Sequence, residues 1–144
     1  MALATLTNGP LVYIDDDEDN HFIFERIINE LNLTNQLRLF QEGEEFLSYL
    51  QATREKPLLI LCDLNMGGMS GLELKHRIDT DEFLRMKAIP FIFYTALASP
   101  QQVTEAYKAT IQGFHLRPTT FTETKEQINL IVRYWQNCLH PNSF

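Results

Sequence analysis

Leu58-Leu59-Ile60-Leu61-Cys62 runs directly into Asp63-Leu64-Asn65-Met66-Gly67-Gly68-Met69-Ser70-Gly71. A continuous apolar run without polar alternation is the pattern of a strand covered on both faces, as in the middle of a parallel sheet. The glycines after it mark a loop. An aspartate at the end of such a strand stands where open α/β sheets keep their ligands, in the crevice beyond the carboxyl ends of the strands.

Working outward, the same alternation of strand and helix continues to both ends. Leu11-Val12-Tyr13-Ile14 reads as a first strand, and helical spacing follows at Phe22, Ile23, Ile27, Ile28 and Leu31. Gln36 to Phe40 alternates polar and apolar, as a half-buried strand does. Phe46, Leu47 and Leu50 mark a short helix, and Leu72, Leu74 and Ile78 mark the helix after the glycine loop. Phe91-Ile92-Phe93-Tyr94-Thr95 is a fourth strand. Ser99-Pro100-Gln101-Gln102 is a helix start, with a capping serine, a proline in the first turn and a glutamine at the capping-box position. Val103, Ala106, Tyr107 and Ile111 carry that helix, and Gly113 is expected to stop it. Phe114 to Arg117 is a fifth strand. Thr120 and Glu123 pair as a second capping box, and the last helix carries Ile128, Ile131, Val132, Trp135 and Leu139. Trp135 and Tyr134 belong either to the core or to a partner surface.

Five βα units imply an α/β fold with a doubly wound parallel sheet and helices on both faces. Right-handed crossovers then favour the flavodoxin-like (βα)5 arrangement with strand order 2-1-3-4-5, whose crevice opens at the ends of strands 1 and 3. The 144 residues suit one domain. It is expected over 9–138, with loose termini at 1–8 and 139–144.

Charge narrows the function. Between residues 11 and 30 there are seven acids and one base, −6 of a net −7. No basic stripe is present for a phosphate backbone, so nucleic-acid binding is not expected. No apolar run approaches the ~20 residues of a spanning helix, and Met1 to Pro10 has no secretory character, so a membrane role is not expected and a cytoplasmic protein is. Cys62 and Cys138 read as reduced thiols of such a protein.

The topology demands functional residues after strands 1 and 3, and acids stand at both places. Asp15, Asp16 and Asp17 follow strand 1, and Asp63 follows strand 3. Gathered carboxylates repel one another and call for a hard cation with oxygen ligands, for which Mg²⁺ is suited. Asp17, Glu18 and Asp19 have a second reading as acids that open a helix; that reading leaves Asp63 unexplained when extended to Asp15 and Asp16. Thr95 ends strand 4 with a hydroxyl, and Arg117 ends strand 5 with a guanidinium suited to phosphate. A carboxylate nucleophile, a cation and two donors make a phosphoryl-transfer site. No nucleotide-binding glycine motif is present, and His21, His76, His115 and His140 lack metal-ligand spacing.

Ile14-Asp15-Asp16, Asp63 through Gly71, Tyr94-Thr95-Ala96 and Phe114-His115-Leu116-Arg117-Pro118, in this order, resemble the receiver domain of two-component response regulators. The resemblance implies a stand-alone signalling protein, not an enzyme in the ordinary sense, that assists its own phosphorylation and hydrolysis. It makes Asp63 the acceptor of a phosphoryl group from a sensor histidine kinase or phosphotransfer protein. Asp15, Asp16, Asp63 and the backbone carbonyl of Asn65 would hold Mg²⁺. Thr95 and Phe114 would be the switch pair, and Arg117 would assist at the phosphoryl group. The face built by the helix after strand 4, strand 5 and the last helix would meet a downstream protein or a second copy. Two positions depart from the family: Arg117 replaces its usual lysine, and Gly67 its usual loop proline. The arginine leaves open an interaction module that works without phosphorylation. A Mg²⁺-dependent phosphohydrolase is a further alternative, although the second acid it needs two residues past the nucleophile is here Asn65.

Overall fold

A computed structural model describes residues 8–139. The expected loose termini lie outside the described residues apart from Asn8 and Leu139. Five parallel strands, β1 (Leu11–Ile14), β2 (Leu37–Phe40), β3 (Leu59–Cys62), β4 (Phe91–Thr95) and β5 (Gly113–Leu116), form one sheet in the order β2-β1-β3-β4-β5. The helices are α1 (Glu18–Glu30), α2 (Gly43–Ala52), α3 (Gly71–Thr80), α4 (Glu82–Arg85), α5 (Pro100–Lys108) and α6 (Phe121–Gln136).

The central strands are buried at every position because each side of the sheet has its own apolar layer. Alternate residues of a strand point to opposite faces. Ile60 and Cys62 of β3, with Phe91 and Phe93 of β4, pack with Phe46, Leu50, Leu74 and Ile78 of α2 and α3. Leu59 and Leu61, with Ile92 and Tyr94, pack with Phe24, Ile27, Ile128, Ile131 and Val132 of α1 and α6. β2 is an edge strand, and all four of its residues are half-buried. Trp135 packs against the α1–α6 layer while Tyr134 stays 58 % exposed, so the two residues divide between core and surface.

Several local features differ from the sequence reading: β2 begins at Leu37, one residue after Gln36, and α6 ends at Gln136, short of Leu139. β3 and β5 each begin one residue away from the expected start, because the parallel ladder pairs Leu11 with Leu59 and Ile92 with Gly113. Gly113 therefore opens β5 and does not stop a helix; α5 ends earlier, at Lys108, where Ala109 returns to extended backbone. The short α4 has too few residues to show a period. Asp81 starts it by accepting from Leu84 N–H at 3.1 Å, and Leu84 is buried beneath it.

Helix caps close as their residues dictate. The reciprocal capping box forms at Ser99 and Gln102, whereas Thr120 accepts from Glu123 N–H without the return bond. Asp17 accepts from Asp19 N–H at the start of α1, with Glu18 and Asp19 in the first turn. These three acids thus take the helix-opening role. Gly71 begins α3 directly under Asp63: a Cβ there would lie 2.5 Å from Asp63 O and 2.8 Å from Phe93 Cε1. Only glycine lets the helix approach the strand end this closely.

Candidate functional site

Strand register builds the site. Ile14 pairs with Cys62, so the next residues, Asp15 and Asp63, emerge side by side. Asp15 N–H is held by Phe40 O at 3.0 Å and Asp63 N–H by Ile14 O at 2.8 Å. Ligand atoms of Asp15, Asp16 and Asp63 all lie within 4.8 Å of one another. Thr95 closes β4 opposite Leu116 of β5, and Arg117 N–H donates to Thr95 O at 2.8 Å. A cleft of about 610 Å³ is lined by Asp63, Asn65, Thr95, Ser99, Gln102 and Arg117, among others.

The three acids have different surroundings. Asp15 is fully buried. Its Oδ2 accepts from Tyr13 Oη at 2.8 Å, Asn20 Nδ2 at 3.0 Å and Arg117 Nη1 at 3.4 Å, and its Oδ1 accepts from Asp17 N–H at 2.9 Å. His21 Nε2 donates to Asp15 O, 2.6 Å away. Such a net gives both oxygens of the buried carboxylate their hydrogen bonds, which burial of so polar a group requires. Asp16 is exposed, and Gly67 N–H donates to its Oδ2 at 2.9 Å. Asp63 is 8 % exposed, and Asn65 N–H lies 3.4 Å from its Oδ1. Burial raises the Asp63 carboxyl above the ordinary range, and Asp15 pushes the same way, while Thr95, the Asn65 N–H and Arg117 pull it down.

The remaining sequence-assigned residues are placed as follows. Thr95 is buried, and its hydroxyl donates to Leu97 O at 3.3 Å. Arg117 points into the site, with its guanidinium on Asp15 and 5.8 Å from the Tyr94 ring. Asn65 donates to Leu97 O at 2.8 Å and accepts from Gln102 Nε2 at 3.0 Å. Phe114 is half-buried, with its ring centre 5.7 Å from that of Phe93. Among the described residues, no histidine joins the acidic cluster, and His140 lies outside them.

Several supports of the site were not legible. Tyr13 reads from sequence as a strand residue and Gln102 as a cap, and Asn20 belongs to no motif. Only Asn20, five residues past Asp15 and in the first turns of α1, carries a faint spacing signal.

The donor set fits a hard divalent cation. Three carboxylates converge with no thiol or imidazole among them, which is the ligand chemistry of Mg²⁺. Their mutual repulsion is a charge that such an ion neutralises.

A family model described as "response regulator receiver domain" matches residues 11–129. The chain belongs to the response regulator receiver domain family. Chemotaxis protein CheY-3 of Vibrio cholerae is 28% identical over 125 residues, covering 86% of this chain and 92% of that protein. The probable methanogenesis regulatory protein FilR2 of Methanothrix harundinacea is 24% identical over 129 residues, covering 87% of this chain and 82% of that protein. Among solved structures, the phosphorylated cyanobacterial phytochrome response regulator RcpA superposes with a TM-score of 0.82 at 17% identity, over 92% of this chain and 97% of that one. The receiver domain of the Pseudomonas aeruginosa sensor histidine kinase PA1611, which has magnesium in its active-site cleft, gives 0.72 at 18% identity, over 91% of this chain and 99% of that one. Receiver domains are modules of two-component signalling. No helix among the described residues is long and apolar enough to cross a membrane.

Proposed function

We propose that this receiver unit, residues 9–138, accepts a phosphoryl group on Asp63 from a phosphohistidine of a sensor kinase or phosphotransfer protein in the cytoplasm. The observation that carries the reading is the meeting of Asp15, Asp16 and Asp63 within 4.8 Å. Asp63 lines a cleft together with the Thr95 hydroxyl and the Arg117 guanidinium.

In this reading an Asp63 carboxylate oxygen attacks phosphorus, the donor's P–N bond breaks, and the imidazole leaves with that electron pair. Asp15, Asp16, Asp63 and the Asn65 carbonyl are the groups that would hold Mg²⁺, which when bound neutralises phosphoryl oxygens. Asp15 is locked by its four donors, so it contributes fixed charge with little reorganisation. Thr95 and Arg117 are positioned to donate to the transferred group, the first by leaving Leu97 O, the second by leaving Asp15 Oδ2. The shorter reach usual for a lysine ammonium is replaced here by a planar fork that already serves one carboxylate.

Release of Leu97 O by Thr95 is the step that ties the site to a surface. Leu97 O also accepts from Asn65, and Asn65 holds Gln102 of α5. Phe114 packs on Phe93 beside this loop and is the aromatic partner of the switch. The face of α5, β5 and α6 exposes Tyr107, Leu116, Leu130 and Tyr134, a surface for a downstream protein or a second copy. The reading is tested by intact mass after incubation with Mg²⁺ and a small phosphodonor. One phosphoryl group is expected on the wild type and none on Asp63→Asn. An unmodified wild type supports instead a module that works unphosphorylated, and turnover of external phosphomonoesters supports a phosphohydrolase.

A further inference from the structure

Gly67, in the loop between β3 and α3, gives its backbone N–H to Asp16 Oδ2 at 2.9 Å. The partners are 51 residues apart, so the bond ties the loop after β3 to the loop after β1 across the acidic cluster. Asp15 has four donors to hold its carboxylate. Asp16 is exposed, and Gly67 is the donor that fixes it among the described residues. An exposed carboxylate facing two others is driven outward, toward solvent and away from like charge. A charge-assisted bond from a backbone amide opposes that and leaves the second oxygen of the carboxylate without a donor among the described residues.

Neither conformation nor space requires a glycine at this place. No described glycine has positive φ, and a Cβ on Gly67 would meet only Asp16 Oδ2, at an ordinary 3.5 Å. What Gly67 supplies is an N–H, which the proline usual in the family at this place lacks. We infer that the Gly67 amide is a positioning group of the cation site: it holds Asp16 where it meets Asp15 and Asp63, and so raises the affinity for Mg²⁺. The inference rests on the reading of the acidic cluster as a Mg²⁺ site.

Two substitutions separate the amide from the rest of the residue. Gly67→Ala keeps the N–H and fits the available space; Gly67→Pro deletes the N–H. Mg²⁺ is titrated calorimetrically into wild type and both variants. The alanine variant is expected to bind within about twofold of wild type, and the proline variant about three- to tenfold more weakly, the range of a partly solvated charge-assisted hydrogen bond. Thermal melts in chelator establish that both variants are folded. A second check leaves residue 67 unchanged: the Gly67 amide proton, followed by NMR, should keep its hydrogen-bonded temperature dependence when Mg²⁺ saturates the wild-type site, and should lose it in Asp16→Ala, which has no acceptor.

Unchanged or tighter binding by the proline variant overturns the inference. So does equal weakening by alanine, or release of the Gly67 amide on Mg²⁺ binding. A wild type that takes up no Mg²⁺ at millimolar concentration overturns the cation reading itself, and the role of Gly67 with it. Normal wild-type binding with an unaffected proline variant overturns the role of Gly67 alone.

Discussion

Asp63→Asn should stabilise the metal-free protein. The substitution keeps the shape of the side chain and removes one of three charges whose ligand atoms lie within 4.8 Å. At that distance and an effective dielectric near 20, two carboxylates repel by about 3.5 kcal/mol. Arg117 on Asp15 and the solvent around Asp16 offset much of this, leaving a gain of about 1–2 kcal/mol. For a domain of this size that is a rise of roughly 3–8 °C in Tm. The pH dependence has a definite sign. The Asp63 carboxyl is raised in the folded state above its ordinary 3.8, so its ionisation weakens the fold as pH rises through the folded value. The advantage of asparagine should therefore be full at neutral pH and fade below about pH 4. Mg²⁺ should reverse the ranking: at a hundredfold excess over Kd it adds about 2.7 kcal/mol to the wild type, and far less to a variant lacking one ligand. Differential scanning calorimetry with chelator and with Mg²⁺ measures both effects. An asparagine variant that melts at or below the wild type in chelator, or one that gains as much from Mg²⁺, refutes the reasoning.

Four further substitutions probe other parts of the molecule. Gly71→Ala places a Cβ 2.5 Å from Asp63 O and 2.8 Å from Phe93 Cε1, and overpacking of this kind should cost about 2–3 kcal/mol in chemical denaturation. Tyr13→Phe removes a buried donor 2.8 Å from Asp15 Oδ2; the loss should be about 1–2 kcal/mol, read by the same denaturation series. Glu55 accepts from Arg38 at 2.9 and 2.6 Å and from Tyr49 Oη at 2.9 Å. The Arg38 bond holds its carboxyl below the usual value, so the pair stabilises the fold above about pH 4.5 and the benefit is lost as pH falls through the lowered value. Both partners are one-third exposed, so Glu55→Gln should cost only about 0.5–1 kcal/mol at pH 7, with the difference closing in melts at pH 3. Thr95→Ala should slow phosphorylation of Asp63 without preventing it, and should abolish the chemical-shift changes that phosphorylation brings to Leu97, Gln102 and the α5–β5–α6 face; full shifts in the phosphorylated variant would remove Thr95 from the switch.

How far the sequence carried this account depends on what each residue does locally. The uninterrupted apolar run into Asp63 and the capping serine at Ser99 are signals contained within a few residues, so the sheet order and most helix starts were legible. Asp15, Asp63, Thr95 and Arg117 were legible because topology alone puts strand ends together. α4 was hidden because four residues show no period, and Gly113 misled because glycine stops helices and opens strands with equal ease. The donors to Asp15 and Asp16 were hidden for another reason. Tyr13 looks like any core aromatic, and the Gly67 bond spans 51 residues and uses a backbone group that every residue but proline has. Asp17, Glu18 and Asp19 show the converse: their charge pattern matched the site, and their helix-start position decided their role.

The central claim is that residue 63, and no other acid of the cluster, forms a bond to phosphorus when a divalent cation is present. Borohydride reduction of the acyl phosphate, followed by peptide mapping, locates that bond. The account predicts reductive modification at Asp63 alone, dependent on Mg²⁺ and abolished by chelator. Modification at Asp15 or Asp16, or at Asp63 in the absence of any divalent ion, would contradict it.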